Sequence, residues 1–146
     1  MPAVDRLKHI ENICRLGKIR MPAKKAQFIL GCHNLITEYG GLKKAKNKLF
    51  KEEGREAKIN FLKRFTGIGD KYARNIMMDA YHDDFRYSIA VDLRIKEISK
   101  SWGLSFANYI DHEDFYLELA KKTKINGWEL DRLMYNFKKE FLHLLS

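Results

Sequence analysis

Phe61-Leu62-Lys63-Arg64-Phe65-Thr66-Gly67-Ile68-Gly69-Asp70-Lys71-Tyr72-Ala73 is the stretch on which the reading of this chain turns. Apolar positions flank two glycines two residues apart, a pattern that predicts two short helices, Asn60 to Phe65 and Asp70 to about Ala80, joined by a tight turn. Gly67 and Gly69 supply backbone freedom for the turn, Ile68 fills the gap between the helices, and Ala73 is small enough to let them approach. Such a turn delivers free backbone N–H groups at the start of the second helix, where the macrodipole also favours an anion. It is suited to gripping a phosphate.

Outward from the turn, period-3.6 patterns dominate and strict alternation bounded by hairpin turns is missing, so the expected class is all-α. Upstream, helices are expected from Val4 to Leu16, with Gly17 as stop, and from Pro22 to Gly40-Gly41. Residues 42–58 read as one amphipathic helix whose polar side carries Lys43, Lys44, Lys46, Lys48, Lys51, Arg55 and Lys58. Downstream, a polar loop from Tyr81 to Arg86 leads to the apolar run Ile89-Ala90-Val91, which ends in Asp92, a residue suited to cap a helix running to Trp102. Further helices are expected near 112–123 and 128–144, the latter with an apolar stripe from Trp128 to Leu144. Nothing in this order marks a repeat or a linker, so one helical domain over 1–146 is expected.

Composition excludes several classes. At 146 residues with 45% apolar content the chain can bury a core, and it lacks the bias of a disordered polymer. No run approaches the ~20 apolar residues of a membrane span, and the N-terminus has no signal-peptide core, so a cytoplasmic or nucleoid-associated protein without a membrane partner is expected. Cys14 and Cys32 alone make neither a disulfide framework nor a ligand set, so no metal or other cofactor is expected and both should be buried free thiols. The net charge of +9 is uneven, +11 over residues 1–75 and −2 over 76–146. A basic first half points to a polyanion, nucleic acid before membrane.

The quoted stretch resembles the helix-hairpin-helix DNA-binding motif along its whole hydrophobic-x-x-hydrophobic-x-Gly-hydrophobic-Gly-x-x-x-Ala core. With Lys71 two residues after the last glycine, and Asp92 ending an apolar run downstream, the chain is similar to the helix-hairpin-helix DNA glycosylase and AP lyase superfamily. The resemblance implies a repair enzyme that flips a damaged base out of duplex DNA and cleaves its N-glycosidic bond. Asp92 would stabilise the positive charge that develops on the sugar, and Lys71 would form the Schiff base that permits strand cleavage. It further implies DNA contacts from Gly67, Ile68 and Gly69, with Lys63, Arg64, Arg94, Lys43, Lys44 and Lys46 as candidates for phosphate. Leu130 to Tyr135 resembles the closing helix of cluster-free archaeal-type 8-oxoguanine glycosylases, which indicates an oxidised base, and the missing four-Cys run sets the chain apart from the iron–sulfur branch.

The departures are specific. Thr66 stands where the family commonly has Pro, Arg94 where it usually has His, and 21 residues separate Lys71 from Asp92, slightly more than the family's spacing. Only about twenty residues precede the Pro22 helix, whereas the family usually has more N-terminal helices, so a minimal enzyme, a pocket completed by a second chain and a missing upstream segment are all open. Lys at the hairpin position also pairs with phosphate in modules without chemistry, and Asp92 suits a plain helix cap. A non-catalytic DNA-binding module is therefore the alternative, with a membrane- or protein-binding helical domain as a third class.

Overall fold

The structure is a computed structural model and describes residues 3–144. Among these the chain is all-α, and its contacts divide it into two compact units at the step from Gly69 to Asp70.

The first unit holds four helices, α1 (Ala3–Leu16), α2 (Pro22–Glu38), α3 (Leu42–Lys51) and α4 (Gly54–Leu62). Helix α1 stops where Gly17 N–H returns to the Ile13 carbonyl, and α2 begins on Pro22, whose missing N–H costs nothing in a first turn. Cys14, Ala26, Ala45, Ile59, Phe61, Leu62 and Phe65 form the buried interior. Cys14 is buried as expected, whereas Cys32 is only half-buried; both are free, and burial pushes the Cys32 thiol up from its ordinary pKa.

The expected helix over 42–58 is two helices. Glu52 and Glu53 are extended, and Gly54, the first residue of α4, takes φ +75°, a left-handed value that breaks the register between the two helices. The break changes one charge assignment: Lys58 is buried and donates to the Glu52 carbonyl at 2.6 Å, so it is not part of an exposed basic face.

The second unit holds α5 (Asp70–Asp79), a single 3-10 turn (Asp83–Phe85), α6 (Leu93–Ser101), α7 (Tyr109–Lys122), α8 (Gly127–Asn136) and α9 (Lys138–His143). Its core is Ile89, Val91, Ile95, Ile98, Tyr116, Ala120, Leu130 and Met134, ringed by Trp102, Phe115 and Phe141. Side chains cap three of the helices: Asp92 opens α6, Asn108 opens α7, and Asn126 with Glu129 forms a capping box on α8. The expected 128–144 helix bends at Phe137 (φ −120°, ψ 36°), which ends α8 and starts α9, and α7 begins earlier than expected because Asn108 supplies the cap.

Candidate functional site

In the first unit the glycine turn is seated on α2. A Cβ at Gly31 would fall within 3.1 Å of Thr66 Oγ1 and Cβ, and one at Gly67 within 3 Å of three carbons of the Phe28 ring. Two small residues thus let the turn lie directly on the helix. Phe65 anchors it from the other side, with ring centroids 6.0 Å from Phe61 and 6.2 Å from Tyr39, and Cys32 Sγ donates to the Thr66 carbonyl at 3.5 Å. Thr66 is therefore held by packing.

Gly67 has φ +86°, the left-handed conformation that favours glycine. Gly69 does not share that need: its φ lies outside the left-handed region, and a Cβ there would meet nothing within 4 Å. Ile68 is half-buried and closes the turn by donating its N–H to the Phe65 carbonyl at 3.0 Å. Among the described residues the N–H groups of Gly67 and Gly69 donate to no acceptor. They are donors that the turn can offer to an external anion.

Exposed cations share this unit. Lys43, Lys44 and Lys46 all face solvent on α3, with Lys46 over the Phe50 ring at 5.5 Å. Lys63 and Arg64 follow α4 on the surface, the Arg64 guanidinium lying 5.5 Å from the Phe61 ring centroid.

In the second unit the run Ile89-Ala90-Val91 is buried, yet it belongs to no helix and pairs with no strand. Its backbone donors must still be satisfied, and each is met by a side chain. Ile89 N–H donates to Glu113 Oε1 at 3.0 Å, Ala90 N–H to Asp131 Oδ2 at 3.0 Å, and Val91 N–H to the Tyr109 hydroxyl oxygen at 2.9 Å. Glu113 is itself fixed by Arg74, whose Nε lies 2.9 Å from both carboxylate oxygens while Nη2 lies 2.7 Å from Oε2. Both side chains are fully buried, so this pair is structural.

The run delivers Asp92 to the start of α6, where Oδ1 accepts the Ile95 N–H at 3.1 Å. Its carboxylate is about a quarter exposed. Asp92 Oδ2 lies 3.3 Å from Arg94 Nη2, and the same nitrogen lies 3.5 Å from Asp131 Oδ1. Arg94, a candidate phosphate contact, has a side chain 13% exposed, with its guanidinium over the Tyr135 ring, 4.9 Å from the centroid. Burial pushes the Asp131 carboxyl above the ordinary carboxylate range, a shift opposed by the Ala90 N–H and by Arg94.

Lys71 is half-buried on α5, with its ammonium 4.2 Å from the centroid of the Tyr72 ring. It makes no hydrogen bond or ion pair with Asp92. A large apolar cavity of about 610 Å³ opens elsewhere in this unit, among Trp102, Phe115, Leu119, Leu133 and Phe141, and neither Lys71 nor Asp92 lines it. Among the described residues no group of His, Cys, Asp and Glu side chains is arranged to hold a metal, and no helix is long and apolar enough to cross a membrane.

Glu113, Asp131 and Tyr109 were not singled out by sequence reasoning, because each reaches its partner from 18 to 41 residues away. The one available signal was an apolar run too short for a helix and without a partner strand, which forces its N–H groups onto side chains. Comparison with known families, with curated proteins and with solved structures finds no match to this chain.

Proposed function

We propose that this chain binds duplex DNA through the Gly67–Gly69 turn and removes a damaged base, with Asp92 and Lys71 in the roles that its resemblance implies. One observation carries the reading. A backbone run held by Glu113, Asp131 and Tyr109 ends in a partly exposed carboxylate at a helix start, downstream of a turn with two undonated N–H groups and a lysine two residues on.

Each part has a task. The N–H groups of Gly67 and Gly69 take one phosphate, and exposed Lys63, Arg64, Lys43, Lys44 and Lys46 add contacts that ignore base identity. With a nucleotide turned out of the stack, the Asp92 carboxylate faces the sugar and stabilises the cationic character that grows as the glycosidic bond lengthens. Lys71 Nζ gives up a proton and bonds to C1′ through the freed electron pair, as the base leaves with the glycosidic electron pair and takes up that proton. Ring opening gives the Schiff base, and loss of a C2′ proton expels the 3′ phosphate by β-elimination.

The second reading is a DNA-binding module without chemistry, favoured by the seat of the Lys71 ammonium on Tyr72 with no bond to Asp92. Borohydride trapping separates the two. With duplexes carrying 8-oxoguanine or an abasic site, the full chain is expected to give a covalent adduct that is lost in Lys71→Ala. Duplex binding with no adduct and no released base selects the module, and an adduct undiminished in Lys71→Ala rejects that residue as nucleophile.

A further inference from the structure

Arg94 is an arginine without an ordinary arginine's freedom. Among the described residues its buried Nε and Nη1 have no hydrogen-bond partner, its guanidinium lies over the Tyr135 ring, and Nη2 sits between two carboxylates. Swinging it out to a phosphate would take from the buried Asp131 its ion-pair partner, a costly loss in a low-dielectric interior.

The contacts form a closed ring. Asp131 is tied to the backbone at Ala90 through Oδ2 and to Arg94 through Oδ1. Arg94 reaches Asp92 Oδ2, and Asp92 Oδ1 returns to the backbone at Ile95. Each oxygen of the Asp92 carboxylate therefore has its own partner, one at the helix start and one on a guanidinium anchored from behind. A helix cap alone holds the carboxylate by a single oxygen, so the group can rotate about its Cβ–Cγ bond and leave the Ile95 N–H uncovered part of the time. Two fixed oxygens define the carboxylate plane, which is the requirement for a charge that must meet a sugar at a set angle.

We infer that Arg94 is a positioning residue for the Asp92 carboxylate, with buried Asp131 as its anchor, and that it acts through Asp92 rather than by touching DNA. The catalytic half of this inference rests on the base-excision reading above. The geometric half does not.

Two measurements on the full chain test it. The first needs no activity: amide hydrogen exchange at Ile95, whose N–H is held by Asp92, in the wild type, Arg94→Met and Asp131→Asn. Release of the carboxylate is expected to accelerate exchange at Ile95 about tenfold or more in both variants while amides in the middle of α7 keep their protection. Unchanged exchange at Ile95 in either folded variant overturns the inference. The second is single-turnover excision of 8-oxoguanine by Arg94→Met, Asp92→Asn and the double variant, together with duplex affinity. Loss of an orienting partner is expected to slow excision about 10–100-fold at unchanged affinity, with no further loss from Arg94→Met once Asp92 is Asn. Additive losses, or a weakened affinity with an intact rate, overturn the inference and return Arg94 to structure or to phosphate. A wild type that excises nothing rejects the base-excision reading alone, because exchange at Ile95 still decides whether the ring orients Asp92.

Discussion

Alanine at position 67 would place its Cβ within 3 Å of the Phe28 ring and would hold a left-handed φ of +86° without glycine's freedom. Left-handed backbone costs a non-glycine residue about 1–2 kcal/mol, and overpacking against a seated ring adds roughly 1–3 kcal/mol. Gly67→Ala is therefore expected to destabilise the chain by about 2–5 kcal/mol in urea unfolding, whereas Gly69→Ala, with open space and no left-handed backbone, should stay within about 0.5 kcal/mol. A Gly69→Ala loss equal to that of Gly67→Ala would show that the two glycines carry the same burden. The sequence marked both positions with one motif and gave no means of separating them. What separates them is Phe28, about forty residues earlier in the chain, and contact at that distance leaves no local pattern. Lys58 follows the same logic: by spacing it belongs to a charged run, and only the kink at Gly54 turns it toward the Glu52 carbonyl.

At the scale of elements, helices were legible wherever a cap or a stop coincided with an apolar period, as at Pro22, Gly17 and Asp92. They were not legible where a regular pattern runs across a break, as between α3 and α4 and between α8 and α9. Hydrophobic periodicity reports which face is buried, and two helices packed on one core can share a period. The link between α6 and α7 shows a further contribution hidden from pattern. His112 on α7 lies 2.7 Å from Ser99 Oγ on α6, Ser99 is also 2.8 Å from the Tyr116 hydroxyl, and the Phe106 ring stacks on the imidazole at 4.2 Å. Burial, with Lys96 adding to it, lowers the His112 pKa from its ordinary value of 6.5. The unfolded chain thus takes up the His112 proton at a higher pH than the folded chain does. The stability that this network contributes is full above about pH 6.5 and falls as pH drops from there toward the lowered folded value. Urea unfolding between pH 7.5 and 5.5 should show stability declining, and His112→Gln should flatten that decline. An equal slope in the variant would assign the decline to other groups.

For the molecule as a whole, the charge asymmetry takes a clearer form once the units are known. Residues 1–69 carry 16 basic and 6 acidic side chains, a formal +10, while residues 70–146 carry 12 and 13, a formal −1. A total of +9 attracts any polyanion, so affinity for DNA alone does not distinguish a placed interface from general attraction. Two triple substitutions that remove the same charge do distinguish them. Lys43, Lys44 and Lys46 lie exposed in the first unit, and Lys121, Lys122 and Lys124 lie exposed in the second. Each lysine that neutralises a DNA phosphate contributes about 0.9 to the slope of log affinity against log salt. Replacing the first three with Gln is expected to reduce the slope by up to about 2.7, three contacts at that value. Replacing the second three should leave the slope nearly unchanged, although the total charge falls equally. Equal reductions in the two variants would mean that the charge of the whole chain governs binding, and the lysines of α3 would then have no special part in holding DNA.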